Sequence, residues 1–326
     1  MPNLQITATK KPVTVFGLLE AATILLAIFS VGTLFAESHR YLELFSHFRY
    51  QFFVSSVLLL TIFAFLRRRF FSLLLVGLTI LNASLVLPWY VGRDQIEASG
   101  VTFKLLHANV HRDNTETSEL LAQIDAEDPD LVILQEMSSD WLTALQTHGD
   151  KYPYSVAEAQ DGAFGIGLFS KFPLDNARIV PAPPLDLPEI RAVIRLGEQR
   201  INLVSAHPMP PVGRAETEAR NAQLGALGDD IANISGPTLF IGDLNISMWA
   251  PAYQSFETTS GLRNGRKGFG IVSTFPVFFR LAGIPIDHCL VSEELRVVDF
   301  RTGLSIGSDH WPVVVVLSLR AGDSGA

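Results

Sequence analysis

The chain has a single cysteine, Cys289, among 326 residues, so no intrachain disulfide holds it together. One cysteine leaves the redox compartment unspecified. Basic residues are scarce after the first third. Residues 97–326 carry 17 lysines and arginines against 29 aspartates and glutamates, a net of −12. That deficit argues against non-specific binding to nucleic acid, which depends on neutralising phosphates with Lys and Arg. The segment Trp249 to Arg280 holds only Arg263, Arg266, Lys267 and Arg280 as basic residues, so there is no long basic, aromatic-lined arm of the kind a duplex binder uses. No internal repeat is visible. Residues 1–96 lack acidic residues instead, with four against eight basic, a net of +4. The chain therefore divides into a basic, apolar part and an acidic, globular part.

The apolar part contains three long runs. Val13 to Ala36 is 24 residues broken only by Glu20, Tyr50 to Leu66 is 17, and Phe70 to Val91 is 22 with Trp89 and Tyr90 at its end. About 20 apolar residues cross a hydrocarbon core, and aromatic pairs sit at headgroup level. The first run is too long for the apolar core of a signal peptide, and two more follow it. None of the three has the polar face that a helix of a soluble domain needs. The expectation is a multi-pass anchor over residues 1–96 with three transmembrane helices, in a plasma or inner membrane. Lys10, Lys11 and the triple arginine Arg67–Arg69 fall on one side of such an anchor. The positive-inside rule makes that side cytoplasmic and delivers everything after Val91 to the other face. Glu20 is a charge inside a span. It lies near the start, where it reaches the interface or a neighbouring helix.

After the linker Gly92 to Gly100 the pattern changes to short apolar runs that end on polar residues. Val101 to Val110 reads as a strand with Asn109 near its end. Leu131 to Glu136 is a second, ending on Glu136, and Ile201 to Pro208 a third, ending on His207. Thr238-Leu239-Phe240-Ile241-Gly242-Asp243-Leu244-Asn245 is a fourth. Its Asp243 and Asn245 are spaced i, i+2, so on a strand they reach one pocket, and Gly242 permits a close backbone approach. Pro285 to Ser292 carries Asp287, and Asp309-His310 precedes the strand Val313 to Leu319. Further strands are expected at Gly165 to Ser170, Arg191 to Leu196 and Leu295 to Arg301. Helices are expected at Ser118 to Ala126, Ser139 to Gln146 and Arg214 to Ile231, and residues 321–326 form a tail. Gly-Asp-x-Asn alone is more often a turn than a site, and a lone histidine is more often structural. The recurrence of strand followed by polar residue reverses those odds, because ligand sites gather where strands end. Carboxylates and an amide without clustered thiols suit a hard cation such as Mg²⁺ or Mn²⁺.

These residues, in this order, resemble the endonuclease/exonuclease/phosphatase superfamily of DNase I-like enzymes. The resemblance runs from about Phe103 to Leu319 and rests on Asn109, Leu134-Gln135-Glu136, Ser205-Ala206-His207-Pro208, Gly242-Asp243-Leu244-Asn245, Ile286-Asp287-His288 and Ser308-Asp309-His310-Trp311-Pro312-Val313. It implies an α/β (α+β) fold over 97–320: a four-layer sandwich of two packed β-sheets flanked by helices, here preceded by the three transmembrane helices. It implies Glu136 as the principal metal ligand, with Asn109 and Asp309 nearby. Asp243 becomes the base that orients water, and Asn245 holds the phosphate or that water. His310 faces the scissile phosphate, oriented by Asp287. His207 contacts a non-bridging oxygen or protonates the leaving group, and Arg191 supplies the basic contact to substrate. Trp311, Pro312, His288 and Cys289 are read as packing or supporting residues, and His107 and His111 as having no catalytic role. The expected activity is hydrolysis of an extracytoplasmic phosphate ester, a phospholipid or small phosphodiester. The alternatives are an extracytoplasmic endo- or exonuclease and a non-catalytic membrane scaffold.

Overall fold

Leu131 to Gln135 is apolar on both side-chain parities up to its last residue, so it needs cover on both faces of its sheet. The computed structural model supplies that cover. It describes residues 14–93 and 101–319; Lys10 and Lys11, most of the linker and the tail 321–326 lie outside them. Strands β1 (Thr102–Asn109), β2 (Leu131–Gln135), β3 (Tyr154–Glu158) and β4 (Ile166–Ser170) join β11 (Leu295–Thr302) and β12 (Val313–Leu319) in one six-stranded sheet, ordered β11-β12-β1-β2-β4-β3. Strands β5 (Leu174–Ala182), β6 (Leu187–Leu196), β7 (Gln199–Ala206), β8 (Thr238–Asp243), β9 (Arg263–Asn264) and β10 (Asp287–Val291) form the second, ordered β5-β6-β7-β8-β10-β9.

One parity of each strand faces the other sheet. Phe103, Leu105, Leu131, Ile133, Leu239, Ile241, Cys289 and Val291 fill that middle layer. The other parity meets helices. Leu106, Ala108, Val132 and Leu134 pack on α5 (Ser118–Glu127) and α6 (Ser139–Gln146), and Val204, Phe240 and Leu290 pack on α7 (Arg214–Ala232) and α8 (Pro251–Ser260). The expected four layers are thus present. β3, β5, β9 and α8 are additions to the expected elements, and β6 begins earlier than its expected start at Arg191.

The N-terminal part consists of α1 (Val15–Gly32), the short α2 (Arg40–Ser46), α3 (Arg49–Phe65) and α4 (Arg69–Val86). Among the described residues, two helical segments, Val15–Ser38 and Arg69–Tyr90, are long and apolar enough to cross a membrane; α2 and α3, bent by 66°, make a third only if counted together. Leu26, Phe63, Leu75 and Leu78 form the core of this bundle. Asn82 Nδ2 donates to Ser30 Oγ (3.0 Å), and Arg49 Nη1 donates to the Ser30 carbonyl (2.8 Å).

The bundle docks directly on the sandwich. Val86, Phe53, Leu85 and Trp89 join the apolar layer over the second sheet. The Trp89 carbonyl accepts from Gly268 and Gly270 N–H (2.9 Å each), and Trp249 Nε1 donates to the Leu85 carbonyl (3.0 Å). The stretch between α1 and α3 contributes Glu43 and His47. His47 Nδ1 lies 2.8 Å from Ser247 Oγ, and Glu43 forms a buried ion pair with Arg220 of α7.

Candidate active site

The inward parity of the central strands turns polar at one end of the sandwich. On β1, Phe103 and Leu105 lead to His107 and Asn109; on β2, Leu131 and Ile133 lead to Gln135; on β8, Leu239 and Ile241 lead to Asp243. β10 runs antiparallel to β8, so its first residue, Asp287, lies directly across from Asp243. All five of these polar residues are buried. Gln135 stitches the sheets at this end: its Oε1 accepts from Asp243 N–H (2.8 Å) and its Nε2 donates to the Ala206 carbonyl (2.9 Å). Gly242 is required here, because a Cβ would come within 2.2 Å of the Ala206 carbonyl oxygen. The close approach expected from the sequence is therefore real.

Beyond the strand ends the chain turns sharply. Glu136, His111 and Asn245 take left-handed backbone conformations, with φ of 58°, 61° and 54°. Such conformations cost roughly 1–3 kcal/mol and cluster at functional sites. Asn245 follows the end of β8 rather than continuing it. Its backbone N–H donates to Asp243 Oδ1 (2.8 Å), so the turn expected of Gly-Asp-x-Asn does form. The Asn245 side chain nevertheless reaches the cluster: Nδ2 lies 3.1 Å from His207 Nε2 and 3.0 Å from the Pro208 carbonyl.

The acids are tied together through one amide. Asn109 Nδ2 donates to Glu136 Oε1 (3.0 Å) and to Asp243 Oδ2 (3.2 Å), while Arg112 N–H caps Glu136 Oε2 (3.0 Å). Both histidines face Asp243 Oδ2, with His207 Nε2 and His310 Nε2 each at 3.6 Å. His207 Nδ1 is held by the Ala163 carbonyl (3.0 Å), which leaves Nε2 pointing at the acids. Asp287 sits between two imidazoles, 2.9 Å from His310 Nδ1 and 3.1 Å from His107 Nε2. Ser308 Oγ donates to the Asn109 carbonyl (2.8 Å), which pins the Asp309-His310 loop to β1. Asp309 itself is half-buried, with Ser308 Oγ at 3.5 Å.

The electrostatics follow from burial against charge. Burial pulls the His310 pKa down, but the charges of Asp287 and Asp243 outweigh it and raise it to about 10. His207 is also raised: burial lowers it, while the hydrogen bond and charge of Asp243, then Glu136, more than compensate. Burial pushes the Asp287 carboxyl up, yet the flanking His310 and His107 hold it well below the usual range. His288, one residue along β10 on the other parity, is depressed to about 3 by burial and then by the Arg266 charge.

The site thus gathers Asn109, Glu136, His207, Asp243, Asn245, Asp287 and His310 from the sequence-predicted set, with Asp309 at its edge. It does not gather Arg191. Ile190, Ala192 and Ile194 of β6 face the middle layer, so Arg191 has the opposite parity. Its guanidinium pairs with Glu189 and reaches Asp230 of α7 (3.4 Å) on the outer face. His107 was given no role from sequence, yet it contacts Asp287; its i, i+2 relation to Asn109 was the available signal. From sequence, Gln135 figures only as part of a motif, with no role of its own, and Arg220 does not figure at all.

The donor set fits a hard divalent cation. Glu136, Asp243 and Asp287 bring carboxylate oxygens to one end of the sandwich, the hard donors such a cation takes. Asp243, Asp287 and His310 place ligand atoms within 4.8 Å of one another.

The family model for the endonuclease/exonuclease/phosphatase family matches residues 101–310. The chain belongs to this family. Its members hydrolyse phosphoester bonds, typically with a divalent metal, and this chain is a phosphoester hydrolase of that family. No curated protein matches the sequence. The human Nocturnin catalytic domain with bound sulfate is 19% identical with a TM-score of 0.56, over 67% of this chain and 95% of that one. A humanised zebrafish (D. rerio) TDP2 is 16% identical with a TM-score of 0.57, over 66% and 98%. A family protein from Beutenbergia cavernae is 17% identical with a TM-score of 0.54, over 69% and 73%. At these identities the likeness is one of fold.

Proposed function

We propose that this family member is a membrane-anchored, Mg²⁺- or Mn²⁺-dependent phosphoric-ester hydrolase whose site faces the extracytoplasmic side. The observation that carries the reading is the convergence of Asn109, Glu136 and Asp243 through one amide, opposite two histidines of raised basicity. Glu136, Asn109 and Asp309 would hold the cation. When bound, it would neutralise charge building up on the phosphoryl oxygens. Asp243 accepts the proton of the attacking water and Asn245 orients that water or the phosphate. His310, kept as imidazolium by Asp287, donates to a non-bridging oxygen. His207 gives its Nε2 proton to the departing oxygen as the phosphorus–oxygen bond breaks. Arg191 is left as a structural ion-pairing residue.

The anchor geometry supports the orientation. The α1–α3 connection and the end of α4 dock on the sandwich, so the α3–α4 turn with Arg67–Arg69 lies a helix length, about 25 Å, away. Basic residues at that far end suit a cytoplasmic face. The acidity of residues 97–326 disfavours a nucleic acid substrate.

The test is a hydrolysis screen of the full-length protein with Mg²⁺ or Mn²⁺, covering phospholipids, sphingolipids, nucleotides and DNA. Glu136→Gln keeps the shape but removes a charge that the cation needs, and it should lower turnover by orders of magnitude while leaving folding intact. Metal-independent turnover, or an undiminished Glu136→Gln, would refute the proposal.

A further inference from the structure

The segment Val277–Ala282 projects beside the active site and exposes large apolar side chains. Phe278, Phe279 and Leu281 are 83%, 53% and 81% exposed, with the exposed Arg280 among them. Single exposed hydrophobes need no explanation, but three within four residues do.

The base of this loop is a wall of the catalytic cluster. Val277 N–H donates to the Asp309 carbonyl (2.8 Å), and the Phe275 ring lies 4.9 Å from that of His310. Thr274 Oγ1 accepts from Asp287 N–H (3.3 Å), and Arg280 stacks over Trp311 at 5.2 Å. The other side of the loop is tied to the anchor, since Gln51 Nε2 donates to the Gly283 carbonyl (2.8 Å). Gln51 lies in the first turn of α3, and that helix continues through the exposed Val54, Val57 and Leu58 toward Arg67. The apolar loop therefore stands level with the start of α3, which exposes apolar side chains along its length.

Between α3 and the sandwich lies a crevice of about 740 Å³, lined by Tyr50, Val54, Ile271, Phe300, Arg280 and Arg301 among others. Its volume lies within the range of roughly 300–1,000 Å³ typical of ligand pockets. The lining combines apolar walls with the Arg280 guanidinium, while Arg301 is paired with Glu127 and Asp299; an apolar chain beside one polar headgroup suits it. Ser273 lines it too, next to the Thr274 that braces Asp287, so crevice and site share a wall.

We propose that the Phe278–Leu281 loop inserts into the outer leaflet and that the crevice takes the acyl part of a bilayer phospholipid whose phosphoester enters the site. The occupant is lipid rather than a protein partner because loop and crevice are continuous with the exposed apolar surface of α3, which the anchored reading puts in the bilayer. This inference rests on the anchored-hydrolase reading and narrows its substrate to a bilayer phospholipid, with a place for the acyl part.

The experiment uses the full-length protein in vesicles of phosphatidylcholine and phosphatidylglycerol with Mg²⁺. Hydrolysis of the vesicle lipid is measured alongside hydrolysis of soluble bis(p-nitrophenyl) phosphate. The triple variant Phe278→Ser, Phe279→Ser, Leu281→Ser should lose about tenfold or more on vesicle lipid, from the apolar burial it removes, and keep its rate on the soluble ester. Val54→Trp, which fills the crevice from α3, should do the same and serves where the triple variant is inactive on both. Phe279→Trp should be quenched by brominated phosphatidylcholine. Unquenched fluorescence, or unchanged lipid hydrolysis in the variants, overturns the inference. A wild-type protein that cleaves the soluble ester but no lipid also overturns it and leaves the hydrolase reading standing. Wild-type protein that cleaves neither rejects both.

Discussion

Glu43→Gln should damage this enzyme from outside its catalytic domain. Glu43 lies on α2, and its carboxylate pairs with the Arg220 guanidinium of α7, both buried. Arg220 also donates from Nη1 to the Asn245 carbonyl (3.0 Å) and from Nη2 to Asn221 Oδ1 (2.7 Å). Burial lowers the Arg220 pKa and the Glu43 charge raises it, so Glu43 is what makes the buried cation tolerable. Glutamine keeps the volume and an acceptor oxygen but not the charge. Breaking a buried pair on one side typically costs about 3–5 kcal/mol. Replacing both partners with apolar residues of similar size is often near neutral. Glu43→Gln should therefore lower the thermal inactivation temperature sharply, while Glu43→Leu with Arg220→Met should recover most of it. Activity should separate from stability. The double variant lacks the donor that holds the strained Asn245 backbone, and a displacement of about 1 Å at a catalytic group costs up to about 10²-fold. The assay pairs thermal inactivation in detergent with kcat on a soluble phosphate ester. A Glu43→Gln protein with unchanged stability, or a double variant as active as wild type, would refute the reasoning.

Three further outcomes are expected. His310→Ala should reduce turnover about 10²–10³-fold, Asp287→Asn somewhat less, and the double variant little more than His310→Ala alone, because the carboxylate acts through the ring; fully additive losses in a double-mutant cycle would separate the two. In metal-free protein the stabilisation from His310 should be complete below pH 6.5 and fade as pH rises through about 10, since its folded pKa lies above its unfolded value. His288, depressed to about 3, should act oppositely, its contribution fading as pH falls below 6.5, and urea titrations of His310→Gln and His288→Gln should each flatten one limb of the profile. A reporter fused after Ser324 that works only in the cytoplasm should be silent, and activity from it would reverse the orientation.

The strand-then-polar rhythm made the sandwich legible because its central strands are buried on both faces and stop where chemistry begins. The gathering of Glu136, His207, Asp243 and Asp287 at one end of the sandwich was readable for that reason. β5 was not, since half-exposed Leu174–Ala182 alternates irregularly and has a register shift between Asp175 and Arg178. Arg191 was misplaced by proximity to a motif when strand parity already sent it to the outer face. His107 was set aside although the same parity joined it to Asn109. Arg220 and Glu43 were invisible for a different reason. A charge on a helix reads as solvated unless its partner is known, and here the partner lies 177 residues away.

The docking of α3 and α4 against the second sheet has a consequence for how the enzyme meets its substrate. The Trp89 and Leu85 carbonyls, accepting from Gly268, Gly270 and the Trp249 indole, clamp the helices to the sandwich. With those helices in a bilayer, the catalytic pocket sits at one height and one tilt. A tethered enzyme sweeps a hemisphere and samples solutes throughout it. This one would sample a single plane, by lateral diffusion, and its rate would follow the surface density of substrate rather than its bulk concentration. Cleavage of the linker would not release it, because the two parts are held by packing rather than by the peptide that joins them.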